Sequence, residues 1–260
     1  MAYHNFYAHT LLVLVSLLVL NSPYVRGRNL KDVKRKDSSP TEETVRTIKD
    51  NNGDVVDCVD IYKQPTLNHP LLKDHKIQMD PSSSPRSKTN GRNSHKTSYS
   101  LGIRMYANVV AFPSTETRFY GGGGQLSVWN PAVLRAKDYS ASSLIVVLSE
   151  TAMLSAGWIV NPGLYGDFQT RFFIYWTTDD SINTGCYDLH CEGFVQVNKR
   201  VDLGAAMESI STIGAKSHLS LRILIFLDRT TGNWWLRVGG EAIEFGLQPS
   251  LPTYQKEQRD

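Results

Sequence analysis

The sequence predicts an all-β protein: an antiparallel β-sandwich preceded by an extended arm. Three observations predict it. From Tyr99 onward apolar residues recur with a period of two in short runs, those runs are rich in β-branched and aromatic residues, and Gly, Pro and Asn clusters separate them. No long helical pattern interrupts the series.

The clearest strand covers residues 218–227, where apolar positions alternate with Ser220 and Arg222 before the run turns apolar on both faces. Runs of similar character fall at 104–112, 125–129, 143–148, 171–178, 194–197, 234–238 and 242–245. Turns are predicted at Gly121-Gly122-Gly123-Gly124, Asn130-Pro131, Asn161-Pro162-Gly163, Thr230-Thr231-Gly232-Asn233 and Gly239-Gly240, all residue types that take turn conformations cheaply. At 260 residues and 41% hydrophobic composition the chain can bury one sizeable core with accessory segments.

The arm reads differently. Residues 10–20 are apolar, too few to span a bilayer, and Val25-Arg26-Gly27 follows with small residues at a cleavage-like spacing. This predicts a secretory signal peptide over 1–27, and hence a secreted protein, extracellular or in a cell wall, with no membrane partner in its mature form. Residues 28–52 are polar, with a short helix expected over 41–48 after Pro40. Pro65 and Pro70 keep the following segment extended, fit for a groove or a sheet edge. Residues 81–98 carry no large apolar side chain up to Ser98 and are expected to form a flexible linker. The domain order is therefore 1–27 signal peptide, 28–80 arm, 81–98 linker and 99–260 partial sandwich. Residues 28–100 hold 14 basic and 10 acidic side chains and residues 101–260 hold 13 and 15, so the arm complements the body in charge. A formal net charge of +3 without a basic stripe gives no footprint for nucleic acid.

Three cysteines leave one odd. Cys186 and Cys191 enclose a tight loop, Cys186-Tyr187-Asp188-Leu189-His190-Cys191, for which a disulfide is the preferred reading. Metal ligation by Cys186, His190 and Cys191 is the alternative, weakened by the lack of a second ligand pair. No other metal set and no cofactor signature is present.

Several motifs then fall in a specific order. Asp57-Cys58-Val59-Asp60-Ile61-Tyr62 is followed by His69-Pro70-Leu71-Leu72, then Gln125-Leu126-Ser127-Val128-Trp129-Asn130-Pro131, Ser155-Ala156-Gly157-Trp158, the aromatic run of Arg171 to Thr177, the Cys186 to Cys191 loop and Gly232-Asn233-Trp234-Trp235-Leu236. Over roughly residues 55–238 this order resembles the neprosin family of plant secreted glutamic peptidases, prolyl endopeptidases with an activation peptide ahead of a β-sandwich catalytic domain. The resemblance implies that residues 28–80 are an activation peptide, that the chain's own activation peptide and a proline-containing peptide or protein are its partners, and that Trp158, Tyr165, Tyr175, Trp176 and Tyr187 line the substrate groove. Core packing is the alternative for roughly half of those rings.

The chemistry of such an enzyme needs two carboxyl groups, one to activate water and one to protonate or polarise the amide. Where the family reads Glu-Ala-Gly-Trp, this chain has Ser155. The segment carrying the second family glutamate has no match; Gly246-Leu247-Gln248-Pro249 resembles the turn before it. The expectation is an inactive glutamic endopeptidase. A pair rescued from Glu150, Glu192, Glu241 or Glu244 is one alternative, and a non-catalytic sandwich binding proline-rich peptide or cell-wall glycan is another. Ser155 as a nucleophile has neither a Gly-x-Ser-x-Gly turn nor a base at a telling distance from His190 or His218.

Overall fold

A computed structural model of the chain describes residues 12–17, 44–49, 53–68, 72, 74–83, 94–101, 104–111, 119–190, 193–239 and 241–245. Cys191, Glu192 and the expected features at 84–93 and 246–260 lie outside them.

The strands form two main sheets and one hairpin, all antiparallel. The larger sheet has seven strands in the order β10 (Cys186–Tyr187), β9 (Arg171–Thr177), β8 (Met153–Val160), β7 (Ser140–Val147), β1 (Leu12–Leu17), β5 (Arg104–Ala111) and β4 (Ser94–Leu101). The smaller has β13 (Glu241–Phe245), β12 (Trp234–Val238), β11 (Ser220–Leu227) and β6 (Gly121–Ser127). The hairpin pairs β2 (Thr44–Lys49) with β3 (Val55–Val59). One short helix, α1 (Pro162–Tyr165), follows β8; the Asn161 side chain caps it and Gly166 ends it in the left-handed conformation.

Alternation explains how the sheets meet. Leu144 and Val146 of β7, Leu154, Ala156 and Trp158 of β8, and Phe172, Ile174 and Trp176 of β9 face Leu126, Ile223, Ile225, Trp234 and Leu236 of the smaller sheet across one core. The Trp158 indole donates to the Ser127 carbonyl at 2.8 Å, tying β8 to β6 inside this core. The other face of β8 and β9 is buried too, which is why these strands read as continuous apolar runs.

The described residues depart from the sequence expectations in five places. Gly121 to Gly124 are strand rather than turn: β6 presses on β11 so closely that a Cβ at Gly121 would stand 2.2 Å from the Ile225 carbonyl oxygen. Thr44–Lys49, expected to be helical, is a strand, because its β-branched residues find a partner in Val55–Val59. Residues 194–197 form no strand; Phe194 and Val195 are buried on an irregular segment. The expected linker is anchored at both ends, by hydrogen bonds from Ser82 and Ser83 and by the start of β4 at Ser94. Pro65 opens a 3-10 turn, Pro65–Asn68, just after another at Ile61–Lys63, where an extended run was expected. In addition, Leu12–Leu17 of the leader-like run lies within the larger sheet, between β5 and β7.

Candidate functional site

Ser155 sits in the middle of β8, with Ile145 of β7 and Tyr175 of β9 as its neighbours in register. Parity on a strand decides its direction. Leu154, Ala156 and Trp158 point into the core between the sheets, so Ser155 and Ile159 point to the outer face of the larger sheet. Phe173 and Tyr175 of β9 share that face, and Tyr165 and Tyr187 pack against it. The Tyr175 and Tyr187 rings lie 4.6 Å apart.

The five expected groove aromatics therefore divide. Tyr165, Tyr175 and Tyr187 surround the Ser155 face. Trp158 and Trp176 belong to the core between the sheets, where Trp158 also lines a separate cleft of about 410 Å³ with Trp129, Pro131, Ser140 and Ser142.

Ser155 itself is 2% exposed. Among the described residues nothing hydrogen-bonds its hydroxyl. Neither histidine serves as its base: His218 stacks on Trp129, with ring centroids 5.1 Å apart, and His190 lies beside Tyr165, with burial lowering its pKa. The rescue carboxylates are scattered. Glu150 occupies the exposed turn between β7 and β8, and Glu241 and Glu244 belong to the edge strand of the other sheet.

One carboxyl group does lie close to the tyrosine face, and it was not among the expected residues. Asp188 is buried, with its backbone in the left-handed region at φ 51°, which Asp tolerates better than most residues. Its backbone N–H donates to the Ile174 carbonyl, and its carboxylate accepts from Ile174 N–H at 3.0 Å and from the Tyr165 hydroxyl at 2.6 Å. Further along β9, Phe172 pairs with residues 204–205 instead of β10. The side chain thus supplies a missing rung where the ladder passes from one partner to another. Burial pushes the Asp188 pKa up to about 7 against the hydrogen bonds from Tyr165 and Ile174. Burial, with the neighbouring Asp188 charge, likewise raises Tyr165.

Cys186 is disulfide-bonded and Cys58 is free. A bonded sulfur is no thiolate ligand, and among the described residues no three His, Cys, Asp or Glu side chains cluster as a metal site.

The arm grips the body at three points. Asp54 forms a two-pronged ion pair with Arg171 at 2.8 and 3.0 Å, while Asp167 holds the same guanidinium at 2.6 Å and the Gly204 carbonyl accepts a further hydrogen bond from it. Burial opposes the arginine charge, but the hydrogen bonds to Asp54 and Asp167 outweigh it and raise the Arg171 pKa. At the second point the Gln64 amide exchanges hydrogen bonds with the Gln196 backbone, and the Thr66 hydroxyl accepts from Gly193 N–H. At the third, buried Asp228 accepts from Gln78, the Ser82 backbone and the Ser83 hydroxyl. Leu72, 1% exposed, buries the arm's one deep apolar anchor among the described residues.

Two family models match this chain: Neprosin over residues 136–253 and Neprosin activation peptide over residues 47–108. The chain belongs to the neprosin family. Its own activation peptide is thus a partner of the body, and the three grips just described are where the neprosin activation segment docks. The activation-peptide match also runs through β4 and into β5, so that segment reaches into the sheet that carries Ser155. Sequence reasoning missed Asp188, Arg171 and Asp228. The signal for Asp188 was its place inside the Cys186 loop; Asp54 and Arg171 are 117 residues apart, and no local pattern links them.

Proposed function

We propose that this neprosin-family chain carries a peptidase-type sandwich that does not hydrolyse peptide bonds by the two-carboxylate route, and that its tyrosine face receives extended, proline-containing peptide. One observation carries the reading: a serine hydroxyl, buried and without a base, stands at Ser155, where the family resemblance calls for a glutamate. A neutral hydroxyl cannot take a proton from water near neutral or acidic pH. Tyr165 and Tyr187, half-buried against that face, supply flat rings on which prolyl groups would stack, and the buried Tyr175 ring backs them.

The disulfide at Cys186, for which Cys191 is the partner expected from the sequence, and the leader-like N-terminal run both favour entry into an oxidising, secretory compartment and release outside the cell. The test is an acid-pH assay of purified chain, with its activation segment removed, on a proline-rich peptide. Binding that saturates without products is expected. Turnover that survives Asp188→Asn but is abolished by a substitution at any one glutamate would show that a different carboxyl group has taken over, and would overturn the proposal.

A further inference from the structure

The outer face of the larger sheet does not end at its tyrosines. Arg171 opens β9, two residues before Phe173 and four before Tyr175, so alternation puts its side chain on the same face; Ile159, its neighbour in register on β8, belongs there too. The Tyr165 ring lies against the guanidinium, with its centroid 5.3 Å from the central carbon. One row thus runs from Arg171 past Phe173 to Tyr175, which stands beside Ser155.

An arginine carries five N–H groups. The body takes three of them: Asp167 accepts from Nε at 3.2 Å and from Nη2 at 2.6 Å, and the Gly204 carbonyl accepts from Nη1 at 2.7 Å. The other two, one on each terminal nitrogen, converge on the Asp54 carboxylate at 2.8 and 3.0 Å. Ala206 N–H, from the bridge opposite Arg171, reaches the same carboxylate at 3.4 Å. Together they make a carboxylate receptacle, a two-pronged fork with a backbone donor beside it, on a side chain only 6% exposed. Every donor in it belongs to the body, and the acceptor alone comes from the activation segment. When Asp54 withdraws, two buried N–H groups lose their acceptor, and a carboxylate arriving from elsewhere relieves that penalty.

Resting on the peptide-binding reading of this face, we propose that Arg171 and Ala206 N–H form its second recognition point, which takes a carboxylate of the bound peptide, and that Asp54 fills it in the ligand's stead. Four residues of strand separate Arg171 from Tyr175, about 13 Å, so the carboxylate lies four residues of extended chain from the residue seated beside Ser155. The ligand class is a proline-containing peptide with an acidic group at that spacing, supplied by a Glu or Asp side chain or by the peptide's own C-terminus. Asp167 already balances the arginine charge, so the receptacle selects by the geometry of the fork, which a carboxylate matches and a halide or an amide does not.

Three measurements on the full chain test this. Asp54→Ala empties the receptacle and keeps the other two grips of the arm. Sodium acetate is expected to raise the melting temperature of this variant saturably, by roughly 2–4 °C, while chloride and acetamide at equal concentration do not. On the same variant, a peptide with proline and Glu four residues apart is expected to bind at least about tenfold tighter than its Gln counterpart. Peptides that end four residues from the proline, as free acid or as amide, tell a C-terminal carboxylate from a side chain as the source, and either one supports the proposal. In the wild-type chain, which needs no variant to fold, the Glu peptide must displace Asp54 and is expected to speed limited proteolysis within residues 44–59, where the Gln peptide does not. No selective acetate effect, or equal binding of every acidic peptide and its neutral counterpart, overturns the carboxylate receptacle and leaves the peptide-binding face standing. Absence of binding by every peptide overturns both.

Discussion

Replacing Asp188 by Asn changes how stability depends on pH. In the folded protein burial holds this carboxyl near a pKa of about 7, against 3.8 for the free group. Between those two pH values the folded chain keeps a proton that the unfolded chain has given up. Stability from this group is therefore fully present below about pH 3.8 and falls as pH rises, by about 1.4 kcal/mol per pH unit, until pH 7 is reached. The whole span is about 3 units, or ~4 kcal/mol. An asparagine keeps an oxygen for Ile174 N–H and an amide for the Tyr165 oxygen, and it does not titrate. Urea unfolding of both proteins at pH 4, 5.5, 7 and 8 measures the difference. The variant's stability relative to wild type is expected to rise by ~4 kcal/mol from pH 4 to pH 7 and then level off. Parallel curves across that window would refute the reasoning, because they would mean that Asp188 is ionised in the folded chain as readily as in the unfolded one.

Other consequences follow from the same contacts. Asp54→Asn removes half of the charge pairing at Arg171; a loss of about 1–3 kcal/mol in docking of the activation segment is expected, seen as faster limited proteolysis within residues 44–83. Asp228 is held at a pKa of about 2: burial works against its charge, and the hydrogen bonds from Gln78, Thr230, Ser82 and Ser83 outweigh it. Its contribution is thus present above pH 4 and lost only as pH falls towards 2, so Ser82 N–H stays protected from exchange at pH 4 in wild type but not in Asp228→Asn. Gly157→Ala places a Cβ 2.1 Å from the Ser142 carbonyl oxygen and 2.7 Å from Ser143 Cα, so β7 and β8 must separate; a loss of about 3 kcal/mol or more, or failure to fold, is expected on thermal melting.

Much of the architecture was legible because period-two patterning depends only on which residues are apolar. The stretch around Ile223 and Ile225 announced β11 in this way, and the Asn161-Pro162-Gly163 turn fell where α1 breaks the chain. The division of the aromatics was legible too: Ser155 and Trp158 differ in parity along β8, as do Tyr175 and Trp176 along β9, so no single face could hold them all. Gly121 to Gly124 misled because Gly121 and Gly123 leave room for the nearness of β11, a fact of tertiary packing. Thr44–Lys49 misled because its partner strand was six residues away, and β pairing outweighs a weak helical tendency. Asp188 was invisible as a titrating group, since its burial comes from Tyr165 and from segment 204–205, both remote in sequence.

Arg171 has a final consequence for how the activation segment leaves. The guanidinium is held by Asp167 and the Gly204 carbonyl as well as by Asp54, so its position does not depend on the segment being there. A socket that stays formed after its occupant departs demands little reordering when the occupant returns. Cutting the chain between arm and body would then yield a detached peptide that still competes for the same seat, and lasting release would require its dilution or its destruction.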